Sequence, residues 1–296
     1  MDWDKLRIFH AVADAGSFTH AGNTLNLSQS AVSRQISALE DNLHSPLFHR
    51  HARGLKLTEQ GEILYQAAHE IFAKLAMTEA RLIEAKERPE GPLKITTTVA
   101  FGSTWLTPRM KEFVTLYPNI EVSLVLADSE LDLSMREADA AIRMAPPKQP
   151  GLIQRRLTTF HHHVFATPEY LQINGLPKCA EDLDDHKIVV YGDDAKPPVD
   201  NMNWLLETGI SGTTKRRPIL KVNSVYGIYR AVESGLGLGA LPDYLNQGHN
   251  TLVHILPELR GPCIDLFFVY PEELRNAQRI VLLRDFLVER LKPGKF

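Results

Sequence analysis

From Glu59 to Arg88 the chain has no proline and a single glycine, Gly61, while Leu64, Ala68, Ile71, Leu75, Thr78 and Leu82 recur at steps of 4, 3, 4, 3 and 4. That spacing keeps one stripe in line along a helix, as in the seam of a coiled coil. At 1.5 Å per residue such a helix is about 45 Å long, too long to be wrapped inside a small domain. The stripe therefore needs a partner. The simplest is the same helix of a second chain, which predicts a homodimer or homotetramer with Leu64, Ala68, Ile71, Leu75 and Leu82 at the seam. Packing on the chain's own C-terminal part is the alternative.

A helix of this length divides the 296 residues into a short N-terminal part, 1–58, the helix itself, 59–88, and a part long enough for a substantial domain, 93–296. Pro89, Glu90, Gly91 and Pro92 make 89–92 a hinge by composition. Asp2 and Asp4 stand where a signal peptide carries cations, and no stretch of about 18 apolar residues occurs, so a cytoplasmic chain without a membrane partner is expected. Cys179 and Cys263 are too few for a disulfide framework or a tetrahedral zinc site.

In the N-terminal part, Leu6, Phe9, Val12 and Ala13 mark one buried face of a first helix over 4–13. Gly16 ends it and Ser17 caps a second helix over 18–25. Ser28 then caps a third, running to Leu43 with Ala31, Val32, Ile36, Leu39 and Leu43 inward. Three short helices with tight turns make a helix-turn-helix unit. Leu47 to Leu57 alternates at its ends, is basic at its centre and turns at Gly54, the pattern of a small β-wing. Net charge is −3, which excludes a protein that coats DNA by charge alone. Locally, however, Arg34, Arg50, Arg53 and Lys56 outnumber Glu40 and Asp41. Ser28, Gln29, Ser30, Ser33 and Arg34 stand near the start of the third helix, where Gln pairs with adenine, Arg with guanine, and hydroxyls with phosphates. Arg50 and Arg53 on the wing suit phosphates or a minor groove.

Beyond the hinge, strands at 93–99, 120–126, 138–143, 164–166, 188–191, 219–222, 236–241 and 264–270 alternate with helices at 104–117, 224–233 and 274–291. This is βαβ grammar, and it predicts a largely parallel sheet. Nothing resembles a set of nucleophile, base and orienting group, so no catalytic activity is expected. Gly235, Gly237 and Gly239 read as close helix-to-strand packing rather than a dinucleotide site. In His161-His162-His163, only the outer two could share a metal if the stretch is a strand; no metal or cofactor is expected. A redox switch through Cys179 and Cys263 is an alternative, but neither thiol has a neighbouring cation in sequence to lower its pKa.

The array Ser17-Phe18-Thr19-His20-Ala21-Gly22, Leu25, Ser28-Gln29-Ser30-Ala31-Val32-Ser33-Arg34-Gln35-Ile36, Leu39-Glu40, Leu43, Leu47-Phe48, Arg50, Leu57-Thr58 and Gly61 resembles the LysR-type transcriptional regulators across residues 3 to 61. Pro108, Tyr117-Pro118, Asp139 with Ala141-Ile142-Arg143, Thr167 to Leu171, and Gly235 to Pro242 agree with it. Within the family the chain looks similar to the LsrB/VtlR-like group of host-associated alphaproteobacteria. The resemblance implies an α/β protein: an N-terminal winged helix-turn-helix, a long dimerising linker helix, then two Rossmann-like subdomains resembling periplasmic binding proteins. Subdomain I would span about 93–160 and 267–296, and subdomain II about 161–266.

The implied partners are promoter DNA, a small effector between the subdomains, and a second copy of the chain. By the same resemblance the effector site takes in Thr98, Phe101, Gly102, Ser103, Asp128, Arg143 and Ser224. Ser103 and Ser224 at helix N-termini and the Arg143 guanidinium would favour an anion. Two positions depart from the family pattern: Gly22 replaces an alanine, which would loosen the second helix by about 1 kcal/mol, and His44 replaces a glycine at a helix end. Competing classes are a small-molecule-binding or transport-related protein with an accessory helical segment, and an architectural DNA protein; the first would need a catalytic set or an export signal, and the second a basic chain throughout.

Overall fold

The computed structural model describes residues 2–51, 54–84, 89–147, 149–195, 197–210, 215–246 and 251–292. They fall into two units, residues 1–82 with 134–136, and residues 83–133 with 137–296.

The first unit opens with α1 (Trp3–Ala15), α2 (Phe18–Leu25) and α3 (Gln29–Leu43). Each helix starts at a side-chain cap: Asp2, Ser17 and Ser28 accept from Asp4, His20 and Ala31 N–H. Each ends in a left-handed residue, Gly16, Asn26 and His44. At His44 the backbone N–H donates to Asp41 O and that of Ser45 to Glu40 O, so the cap is completed without the expected glycine. Gly22 is not a weak point either. A Cβ there would stand 2.7 Å from the Leu27 carbonyl oxygen, so its lack of a side chain admits the turn into α3. Phe9, Val12, Ala21, Val32, Ile36 and Leu39 are buried together.

Strands β1 (Phe48–His51) and β2 (Gly54–Leu57) pair antiparallel as the wing. Helix α4 (Glu59–Glu84) follows. It begins at Thr58, whose hydroxyl accepts from Gly61 N–H at 3.0 Å and donates to Pro46 O at 2.7 Å. The expected seam divides. Ala68 is fully buried and Leu64 packs in the core of α1 to α3, because the first turns of α4 complete that core. Ile71 and Leu75 remain 43% and 44% exposed. The side chain of Leu82, and residues 85–88, lie outside the described residues.

The second unit runs β3 (Gly91–Thr97), α5 (Val99–Phe101), a π-helical turn (Gly102–Leu106), α6 (Thr107–Leu116), β4 (Ile120–Leu126), β5 (Ala140–Arg143), β6 (Leu152–Ala166) and α7 (Pro168–Asn174). It continues through β7 (Ile188–Tyr191), β8 (Leu220–Val222), α8 (Val225–Glu233), β9 (Leu238–Pro242), β10 (Val253–Ile255), β11 (Cys263–Pro271) and α9 (Gln278–Arg290). The strands form one ordered sheet, β4-β3-β5-β11-β6-β9-β7-β8, with β10 also on β6. The expectation of a largely parallel sheet is corrected. Pairings are parallel on the flanks, where β3 joins β4 and β5, and β7 joins β8 and β9. They are antiparallel through the centre, where β11 joins β5 and β6, and β6 joins β9 and β10. The physical reason is β6 and β11, two long strands that pass from one α/β lobe to the other and pair from Leu152↔Pro271 to His161↔Cys263. The expected strand at 164–166 is only the last part of β6.

Candidate nucleic-acid interface and effector cleft

On α3 the inward positions Val32, Ile36 and Leu39 leave the opposite face free. Ser30 and Arg34 fall there, four residues apart, with Ser33 at its edge, while Gln29 stands in line with Val32 and Ile36 but in the exposed first turn. Ser28, Gln29, Ser30 and Arg34 are exposed and Ser33 is half-buried. Ser28 Oγ also lies 3.1 Å from Ser30 Oγ. The wing is tied to this helix by Glu40, whose Oε1 accepts from Leu47 N–H at 2.8 Å and Phe48 N–H at 3.3 Å. Gly61 adds a close approach, since a Cβ would stand 2.2 Å from the Leu47 carbonyl oxygen. Arg50 is in β1, opposite Leu55, and Arg53 lies outside the described residues.

Sequence reasoning did not bring together His10, Asp14 and His69. His10 Nε2 is 3.3 Å from His69 Nδ1, His10 Nδ1 is 3.1 Å from Asp14, and the Tyr65 hydroxyl donates to Asp14 at 2.6 Å. Burial works to raise the Asp14 pKa, but the hydrogen bonds from His10 and Tyr65 carry it below its ordinary value. The i to i+4 spacing on each helix was the available signal.

In the second unit two adjoining cavities of about 100 and 50 Å³ open at the ends of β3, β5, β7 and β9. Thr98, Asp128, Met144 and Pro198 line both. Arg143 lines the first; Ala100, His162, Tyr191, Met202, Val225, Pro242, Tyr244 and Ile264 line the second. Of the expected effector residues, Thr98, Asp128 and Arg143 therefore converge.

The other four are placed differently. Phe101 is fully buried, stacked on Trp105 at 5.0 Å. Gly102 lies under Leu126, where a Cβ would meet Leu126 Cδ2 at 2.2 Å. Ser103 does not begin a helix: the helix starts after Thr98 and Ser103 sits inside the π-helical turn. Ser224 does cap α8, its hydroxyl accepting from Gly227 N–H at 3.4 Å, but it lines neither cavity.

The groups expected to hold an anion are engaged in part, Arg143 Nη1 being buried without a hydrogen-bond partner. Asp128 Oδ1 accepts from Val99 N–H at 3.1 Å, so a carboxylate already occupies that helix start. Arg143 is 7% exposed, donates to Leu131 O at 2.7 Å and faces Glu130 at 3.6 Å. Burial raises the phenol pKa values of Tyr191 and Tyr244, and the Asp128 charge adds to both shifts.

His162 is the cleft residue that sequence reasoning passed over. It is completely buried, and its Nδ1 lies 2.9 Å from the Pro262 carbonyl. Burial drives its pKa down to about 4, against a partial upward pull from that carbonyl. His161 is exposed and His163 half-buried, with ring centres 6.4 Å apart. Cys179 and Cys263 are exposed, free thiols. The Asp182 backbone works to lower the Cys179 pKa, but the Glu181 and Asp182 side chains outweigh it and the thiol is raised, which opposes thiolate chemistry.

A winged helix-turn-helix carried on one chain with a two-lobed cleft domain defines a ligand-responsive DNA-binding regulator. Comparison with known families gives the same class. Residues 3–62 match the bacterial regulatory helix-turn-helix protein, lysR family, and residues 86–292 match the LysR substrate binding domain. The regulator CrgA of Neisseria meningitidis serogroup C is 30% identical, over 97% of this chain and 96% of its own length. The solved structure of CrgA from Neisseria meningitidis superposes with a TM-score of 0.60 at 28% identity, covering 98% of this chain and 99% of that one. Full-length LysG from Corynebacterium glutamicum with bound effector Arg gives 0.57 at 25% identity, covering 98% of both chains. The chain belongs to the LysR family of DNA-binding transcriptional regulators. Among the described residues no helix is long and apolar enough to cross a membrane.

Proposed function

We propose that Gln29, Ser30, Ser33 and Arg34 of α3 enter the major groove, with Ser28, Arg50 and Arg53 on the phosphate backbone, and that a small effector in the β3/β5/β7/β9 cleft sets promoter occupancy. The observation that carries this reading is the exposed polar start of α3, with Gln29 in its first turn and Ser30 and Arg34 set opposite the buried Val32, Ile36 and Leu39. The working division is DNA-binding 1–58, linker helix 59–88, hinge 89–92 and effector domain 93–296. Ile71 and Leu75, the exposed part of the stripe, meet a second copy of the chain. The protein works in the cytoplasm, without catalysis. Kinship with the LsrB/VtlR-like regulators belongs to this reading and rests on sequence likeness.

Gel-shift titration on the operator tests it. Arg34→Ala and Gln29→Ala each lose about 1–3 kcal/mol of specific binding with folding and assembly intact. Unchanged operator affinity in both variants refutes the docking. An anionic effector, expected from Ser103, Arg143 and Ser224, has weaker support, since Arg143 is held by Glu130 and Leu131, and neither serine lines the cavities.

A further inference from the structure

Two residues that line the second cavity, Thr98 and His162, each carry a buried polar atom without a partner. Thr98 Oγ1 and His162 Nε2 are both shut off from water and neither has a hydrogen-bond partner. For His162 the geometry fixes the chemistry. The Pro262 carbonyl can only accept, so the proton sits on Nδ1. The ring is neutral at physiological pH, so Nε2 keeps a bare lone pair on a residue whose cavity is otherwise walled largely by Met202, Val225, Pro242 and Ile264. A buried acceptor left unmatched is costly, and native proteins seldom keep one without a reason. Asp128 at the rim adds negative charge, and the nearby guanidinium of Arg143 donates through Nη2 to the Leu131 carbonyl while its Nη1, without a hydrogen bond, is paired in charge with Glu130 at 3.6 Å.

We propose that the effector is a small molecule with an uncharged, largely apolar body and an O–H or N–H group that donates to His162 Nε2, and that carboxylates and phosphates are rejected. This rests on the cleft being the effector site. It makes His162 a specificity-determining residue: the lone pair rewards a donor and offers nothing to an anion, while Asp128 repels one. Thr98 Oγ1, able to donate or accept, takes the other side of the same polar group.

The test uses the full-length protein and matched probes on one ring: benzyl alcohol, benzyl methyl ether and benzoate, followed by ligand-observed NMR and thermal shift. The alcohol binds, the ether binds about tenfold more weakly because it lacks the donor, and benzoate binds least. His162→Phe brings the alcohol-to-ether ratio close to one, whereas His162→Gln, which keeps an acceptor, retains part of it. Thr98→Val is the second variant should the buried histidine prove essential for folding, and it weakens the alcohol more than the ether. Benzoate binding more tightly than the alcohol overturns the proposal, as does an alcohol-to-ether ratio that survives in His162→Phe and Thr98→Val, or no binding of the alcohol at millimolar concentration. Val225→Trp, which adds bulk to the cavity wall, separates the two levels. Probes that prefer the anion yet are lost in Val225→Trp refute the donor rule and keep the cleft, whereas probes indifferent to Val225→Trp refute the cleft itself.

Discussion

Replacing Glu40 by alanine isolates what joins the wing to the recognition helix. One carboxylate oxygen accepts from Leu47 N–H at 2.8 Å and Phe48 N–H at 3.3 Å. Leu47 and Phe48 are 1% and 6% exposed, so water cannot readily take over either donor. A charge-assisted bond of the shorter kind contributes about 1.5–3 kcal/mol and the longer one about 0.5–1 kcal/mol. Their joint loss is about 3 kcal/mol, or roughly a hundredfold in the local opening equilibrium. Amide hydrogen exchange reads this directly: the Leu47 and Phe48 amides lose about a hundredfold of protection in Glu40→Ala. In Glu40→Gln, which keeps a neutral acceptor, they lose about tenfold. Operator binding weakens in the same order, since Arg50 rides on β1. Unaltered protection of both amides in Glu40→Ala, with the α3 amides equally unaltered, would falsify the idea that this carboxylate holds the wing.

Leu75→Glu places a charge on the exposed part of the α4 stripe, and sedimentation is expected to show smaller assemblies; an unchanged size removes that stripe from the contact. His44→Gly relieves a left-handed side-chain residue at φ 50°; a relief of about 1–2 kcal/mol, set against glycine's extra chain entropy of about 0.5–1 kcal/mol, leaves a gain of about 0.5–1 kcal/mol in urea unfolding of the N-terminal unit. A loss there means that the imidazole makes contacts that outweigh the strain. His162 has a pKa of about 4 in the folded chain, below the 6.5 of a free imidazole. The unfolded state thus binds more protons between these values, and stability falls as the pH drops from about 6.5 towards 4, by about 3 kcal/mol in all. Acid unfolding of His162→Gln should be flatter across that window, and identical slopes would show that this imidazole is not the titrating group.

The helices of the first unit were legible because each is bounded by its own cap and carries a 3.6-residue stripe; Asp2, Ser17 and Ser28 do locally what the fold requires. Ser103 misled because Gly102-Ser103 looks like a helix break and a cap. That glycine is instead required by Leu126 and Thr97, which a neighbouring strand and the helix's own approach bring over it. Only the apolar end of β6 is legible as a strand, since Gln154, Arg155, Arg156 and His161 are exposed and break its apolar alternation where it crosses between lobes. Leu64 and Ala68 obey the heptad, but periodicity does not say whether a stripe meets a second chain or its own first helix. The lone pair of His162 was beyond any local signal, because it depends on the Pro262 carbonyl, one hundred residues away.

The central pairing of β5 with β11 also has a temporal side. Ala140 to Arg143 are all buried, and Arg143 faces Phe267 across the ladder. During synthesis the ribosome needs about 6–25 s to travel from one to the other at about 5–20 residues per second. For that interval the first lobe has β3 and β4 in hand but an uncovered edge at β5, apolar except for Arg143. The second lobe meanwhile receives β7, β8 and β9 in succession and waits only for the strand that closes both. A nascent chain held at this stage is a target for chaperones that bind open strand edges. A protein shortened before Cys263 lacks β11, and both lobes lose their shared partner strand.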